Sequence, residues 1–121
     1  MLAASVALNE ELNRYIEDKK MQFDQVSVGK KANVFFDGKC VSHTVTLPSG
    51  ERKSVGVILP STLRFDLSTK EVMEVVDGTA YVSINGAPEQ AFTAGQSWTV
   101  EAGGYFVIRA EQAVHYVCHF G

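Results

Sequence analysis

Glu71 opens the run EVMEVVDG, residues 71–78, a valine-rich segment that also carries Met73, Glu74 and Asp77 and is closed by a glycine turn. On a regular strand it shares a face with Met73 and Val75, so its carboxyl group enters an apolar space. A carboxyl there is a proton donor if nothing meets it, or an ionised hydrogen-bond acceptor if a cation stands near. Glu74 faces the other way, towards water. His43 interrupts the β-rich run CVSHTV and can exchange a proton near neutral pH, as only histidine does when unperturbed. It equally reads as a sheet histidine with its hydrogen bonds satisfied. Arg52, Lys53, Arg64 and Arg109 supply positive charge, and the arginine fork matches the geometry of oxyanions. Arg64 stands on the polar face of a run whose other face is Leu63, Phe65 and Leu67. It points to solvent, or into a cavity if the apolar face lies outside.

A resident metal is not expected from these residue types. A divalent transition metal needs three or so imidazole or carboxylate ligands converging on one point. His115 and His119 are four residues apart on one strand face, too far to share a metal easily, and read as surface positions. Cys40 and Cys118 form no C-x-x-C pair. Cys118, between Tyr116 and Phe120 on its face, reads as a small buried hydrophobe.

The elements that must position these residues are mostly strands. Residues 8–20 carry Leu8, Leu12, Tyr15 and Ile16 at helical spacing, with Asn9 as N-cap, Glu10 and Glu11 at the start and Lys19 and Lys20 at the end, which predicts one short helix. Residues 1–20 are therefore read as an N-terminal helical extension and 21–121 as the folded domain. From Phe23 onward, short β-type runs are separated by turn signals, among them Asp37-Gly38, Asn85-Gly86, Asp77-Gly78 and Gly103-Gly104, which predicts an all-β sandwich or barrel. Strands are expected over 32–36, 40–47, 53–59, 62–67, 71–76, 79–84, 90–92, 97–101, 105–109 and 114–120. A barrel of this size leaves room for one small ligand at its mouth.

At 121 residues the chain has room for one ordinary domain. Hydrophobic residues at 45% and charged residues at 21% are those of a globular protein and exclude disordered and fibrous classes. A net charge of -3 argues against nucleic acid or an anionic membrane as partner. No run approaches the length of a membrane span, and LAASVAL has no basic residues before it, unlike a signal peptide. With no disulfide framework indicated, a reducing cytoplasm is expected.

Two spacings resemble the cupin motifs. Glu71 with Gly78 resembles the second half of the first, and Gly95, Glu101, Gly103 and Phe106 resemble the second. Where the pattern has His-x-His the chain has Arg64-Phe65-Asp66, and Phe106 replaces the later histidine. The blocks KKANVFFDGKCVSHTV, GERKSVGVILP, EVMEVVDG, AGQSW and HYVCHFG are similar to those of the small single-domain cupins known as pyrimidine/purine nucleoside phosphorylases. The resemblance covers roughly residues 21–121. It departs at Glu101-Ala102, where relatives commonly carry Val-Pro, and in the N-terminal extension.

The resemblance implies a cupin-like barrel (double-stranded β-helix, or jelly roll), homodimeric and without a required metal. Inorganic phosphate would serve as co-substrate, with no other cofactor, to split diverse nucleosides into free base and α-D-ribose 1-phosphate. The glycosidic carbon then becomes cation-like and the departing base gathers negative charge, which the protein must stabilise electrostatically. On that reading Glu71 and His43 are the catalytic candidates, and Arg64, Arg52 and Lys53 the phosphate-binding ones. Trp98, Phe106 and Tyr116 are candidates for stacking on the base, since every base has a π-face, although aromatics at alternate strand positions also read as core. Competing readings are a barrel that binds a small metabolite without catalysis, and a metal-dependent cupin dioxygenase or isomerase.

Overall fold

The computed structural model describes residues 20–120. The alternating runs become eleven strands: β1 (Ser27–Val28), β2 (Asn33–Phe35), β3 (Cys40–Thr46), β4 (Arg52–Ile58), β5 (Ser61–Asp66), β6 (Glu71–Asp77), β7 (Ala80–Ile84), β8 (Gln90–Phe92), β9 (Ser97–Val100), β10 (Tyr105–Ala110) and β11 (Val114–Phe120). Ten of these fall on the expected runs to within a residue or two, and the two-residue β1 is additional. The run expected over 32–36 stops at Phe35, because Phe36 leaves the extended region with a φ of 53° and begins a 3-10 turn over Phe36–Gly38. The helix expected over residues 8–20 lies outside the described residues.

All strand pairs are antiparallel. The larger sheet runs β1-β3-β4-β11-β6-β9, with β2 also paired to β3, and the smaller runs β5-β10-β7-β8. Among the described residues strand pairing stays within each sheet, so the expected barrel takes the form of two facing layers, as in a jelly roll. Their inner faces meet in one core. The larger sheet contributes Ile58, Met73, Val75, Val100 and Val114, and the smaller contributes Leu63, Val82, Phe106 and Ile108. Each such side chain withdrawn from water contributes about 1.5–3 kcal/mol.

The inner face of the larger sheet is not apolar throughout. Cross-strand pairs Ser42↔Gly56 and Thr44↔Ser54 put hydroxyl groups on it, and Glu71 lies on the same face opposite Val100 and Phe120. The pattern in β3 is therefore inverted from the usual one: Cys40, Ser42 and Thr44 point inward while Val41, His43 and Val45 point outward.

Two local devices hold this arrangement. A β-bulge in β6 puts Asp77 opposite His115 while Val75 stays opposite Tyr116, so the pleat slips by one residue at Val76. An unbroken register would set Asp77 opposite fully buried Val114; with the slip Asp77 is exposed. Gly78 follows at φ 92°, where an added Cβ would come within 2.5 Å of the Ala113 carbonyl. Gly56 serves a different purpose. A Cβ there would lie 2.6 Å from the Val41 carbonyl and 2.8 Å from the Tyr116 hydroxyl, so its bare backbone makes the room in which that hydroxyl reaches Cys40 Sγ at 3.4 Å. Gly56→Ala should therefore destabilise the fold by about 1–3 kcal/mol through overpacking, seen as a lower urea midpoint without a change in slope.

Candidate functional site

Where the polar part of the larger sheet faces β5 and β10, the layers stand apart around a cavity of about 630 Å³, within the roughly 300–1,000 Å³ of small-ligand sites. Asn33, Ser42, Thr44, Ser54, Glu71 and Cys118 line it from one side, Phe65 and Phe106 from the other, and Phe35, Phe36 and Phe120 also border it. A smaller depression, of about 400 Å³, shares Thr44 and Phe120 with it and adds Glu51 and Arg52.

Strand pairing brings Glu71 and Cys118 together diagonally across β6 and β11. The thiol Sγ donates to Glu71 Oε1 at 2.9 Å. Burial, and then the carboxylate beside it, push the Cys118 thiol far up, so it remains a protonated donor. One oxygen of Glu71 is thereby engaged and the side chain is oriented into the cavity. Asn33 Nδ2 reaches Ser42 Oγ at 3.4 Å and Thr44 Oγ1 at 3.3 Å, forming a polar wall suited to hydroxyl-bearing ligands.

The sequence-derived candidates separate. Glu71, Phe106 and Tyr116 line the cavity, and Arg64 reaches its edge. The Arg64 guanidinium is engaged elsewhere: it pairs with Asp66 at 3.0 Å and lies 4.0 Å above the Tyr105 ring. Arg52 is on the inner face at the end of β4, and its side chain has no hydrogen-bond or ion-pair partner among the described residues. Lys53, the next residue, points the opposite way. Its Nζ donates to Glu51 at 3.0 Å and to His119 Nδ1 at 2.7 Å, and His119 Nε2 donates to Glu74 at 2.9 Å. Glu74 is thus half-buried in an outer-face chain rather than simply solvated. His43 is also on the outer face, where Nδ1 donates to the Gly29 carbonyl at 3.0 Å. Arg109 is held between Glu89 and Glu111 over Tyr81.

The aromatic candidates form a wall more than a platform. Trp98, Phe106 and Tyr116 are all buried. Phe106 stacks on Phe65 at 5.1 Å and meets Trp98 edge-on at 5.6 Å. Trp98 does not border the cavity, and its Nε1 has no hydrogen-bond partner among the described residues. The accessible aromatic surface lies on residues outside the three stacking candidates. Phe35, Phe36 and Phe120 are each more than 40% exposed, and Phe36 caps Phe65 edge-on at 5.2 Å. Phe36 and Asp37 both hold positive φ, 53° and 54°, which costs a bulky residue such as phenylalanine about 1–2 kcal/mol. The sequence signal for this loop was the pair Phe35-Phe36 set directly before an Asp-Gly turn. The signal for the polar wall was the alternating Ser42, Thr44 and Ser54.

A family model described as pyrimidine/purine nucleoside phosphorylase matches residues 30–120. A pyrimidine/purine nucleoside phosphorylase of Laribacter hongkongensis is 52% identical over 100 residues, covering 82% of this chain and 97% of the relative. One of Thiobacillus denitrificans is 55% identical over 102 residues, covering 83% and 98%. Among solved structures, a protein of unknown function from Acinetobacter sp. ADP1 superposes with a TM-score of 0.82 at 40% identity, covering 84% of this chain and all of that one. An RmlC-like cupin from Shewanella frigidimarina, at 16% identity, superposes with a TM-score of 0.62 over 84% and 93%, a likeness of fold.

The buried thiol and phenol make stability depend on pH in one direction. Burial first, and then Cys40, raise Tyr116 far above its ordinary 10.0, as burial and Glu71 raise Cys118 above 9.0. Below 9.0 both states keep these protons. Above it the unfolded chain releases them while the native state holds them, so stability falls as pH rises, by about 1.4 kcal/mol per pH unit for each group past its unfolded value. Denaturant titrations from pH 7 upward should be level in this contribution, then decline, and Tyr116→Phe should flatten the decline above 10.0.

Proposed function

The chain belongs to the pyrimidine/purine nucleoside phosphorylase family, and we propose that the cavity between its sheets is where a nucleoside is split by phosphate into free base and ribose 1-phosphate. The observation that carries the assignment to this cavity is the Glu71 carboxylate, fixed by the Cys118 thiol and aimed among Asn33, Ser42 and Thr44.

In the reaction a phosphate oxygen forms a bond to the anomeric carbon of the ribose as the carbon–nitrogen bond to the base breaks. The bonding electron pair leaves with the base, which takes up the proton given up by the hydrogen phosphate, directly or through water. Positive charge grows on the sugar between these events, and a carboxylate close to the ring stabilises it. Glu71 suits that task, with its second oxygen available to a ribose hydroxyl and the Asn33–Ser42–Thr44 wall to other sugar hydroxyls. Of the cations, Arg52 is the best placed to hold phosphate: it lies on the inner face, next to the cavity, without a competing carboxylate partner. Arg64 would have to leave Asp66, and Lys53 and His43 point away from the cavity.

The reading includes activity without a resident metal, supported by the donor set: among the described residues no three of His, Cys, Asp or Glu gather at one place. It also includes a pentosyltransferase class, a homodimeric state and a cytoplasmic location, supported by the family membership and by two unpaired cysteines. No helix among the described residues is long and apolar enough to cross a membrane.

Incubating the protein with a panel of nucleosides, with and without phosphate, should release base and ribose 1-phosphate only in its presence. No phosphate-dependent release from any nucleoside would overturn the assignment. Turnover should survive exhaustive chelation. Glu71→Gln should lower kcat about a hundredfold, the scale of a lost charge-stabilising or proton-transferring group. Arg52→Ala should raise the KM for phosphate about tenfold or more with a smaller change in the KM for nucleoside, and Arg52→Lys should recover part of the loss.

A further inference from the structure

On the phosphorylase reading, we propose that Phe36, held on a positive-φ turn at the cavity mouth, is the stacking platform that receives the nucleobase and makes recognition indifferent to its identity. Three observations carry this. Phe36 borders the cavity and is 43% exposed, whereas the aromatic residues deeper in the wall are already packed against one another. Its backbone has a φ of 53°, a conformation that glycine or asparagine would hold at lower cost. And its ring meets that of Phe65 near-perpendicularly, and Phe65 is itself stacked on Phe106, so the ring is braced against the wall before any ligand arrives. A strained, exposed and braced aromatic at the entrance of a cavity with one polar wall is an arrangement for presenting a π-face.

Stacking explains tolerance because it reads the face that purines and pyrimidines share, rather than the donors and acceptors on their edges that distinguish them. Besides the Arg64–Asp66 pair, whose charges are engaged with each other, the mouth carries phenylalanine: Phe35 at 48% and Phe120 at 45% exposed also border the cavity and have no polar group with which to discriminate. On this proposal the base lies against Phe36 and the sugar against Glu71.

Equilibrium binding and turnover together test this with Phe36→Asn, which keeps the backbone conformation and removes the ring, and with Phe36→Leu and Phe36→Tyr. Isothermal titration of adenosine, uridine and ribose 1-phosphate is the direct readout. In Phe36→Asn, affinity for both nucleosides should fall about tenfold, to a similar extent for purine and pyrimidine, while affinity for ribose 1-phosphate stays within twofold of wild type. Phe36→Tyr should recover most of the loss and Phe36→Leu little of it. In turnover the loss should fall on KM more than on kcat. Nucleoside affinity within twofold of wild type in Phe36→Asn and Phe36→Leu would overturn the proposal, as would an equal loss for ribose 1-phosphate. If one variant unfolds, the other decides. Binding is measured without turnover, so absence of phosphorolysis in the wild type would count against the reaction and leave the stacking result to be read by itself.

Discussion

Setting a carboxylate on the inner face of a β-sandwich demands a donor, because an unpaired polar group withdrawn from water costs more than most single contacts return. Cys118 supplies that donor for Glu71. It can do so because β6 and β11 are neighbours in the larger sheet, and because burial keeps the thiol protonated and so a donor. The remaining features of the cavity are arranged around this pair. Hydroxyls on β3 and β4 extend the polar wall, Gly56 makes room for Tyr116 at its base, and the phenylalanines of β5 and β10 close the opposite side.

Much of this was legible in the chain itself. Turn glycines and alternating residues marked the strands, since a positive-φ position and a period of two are local properties. Glu71 could be assigned to the interior because Met73 and Val75 share its face. Arg52 and Lys53 illustrate a rule that the sequence already contained: adjacent strand residues point to opposite faces, so the two could not serve one phosphate. Other placements depend on long-range packing. His43 lies outside because β3 turns its small polar residues inward and its valines outward, which reverses the ordinary reading of an apolar face. That reversal makes sense only once a cavity, rather than core, lies opposite Ser42 and Thr44. Phe36 was hidden for a related reason, its backbone conformation running against the local preference of its side chain. Sites are where such disagreements are expected.

The outer face carries its own organisation. Lys53, His119, Glu74 and Glu51 form a continuous hydrogen-bonded chain over the strands that hold the cavity on their other side. In this chain His119 accepts from lysine through Nδ1 and donates to Glu74 through Nε2, an arrangement of the neutral ring. The two faces of β11 thus carry different polar systems built from alternate residues, Cys118 turned to Glu71 and His119 turned away from it.

The bulge at Val76 divides β6 mechanically. Its first half, from Glu71 to Val75, is clamped in register on both sides by β9 and β11. The second half follows the turn at Gly78. The slip in the ladder between them acts as a clutch: residues beyond Val76 keep their own register with β11, offset by one from that of the residues before it. The carboxylate at one end of β6 thus takes its place from β9 and β11, separately from the hairpin at the other end, whose shape is set by Gly78 and its close approach to Ala113.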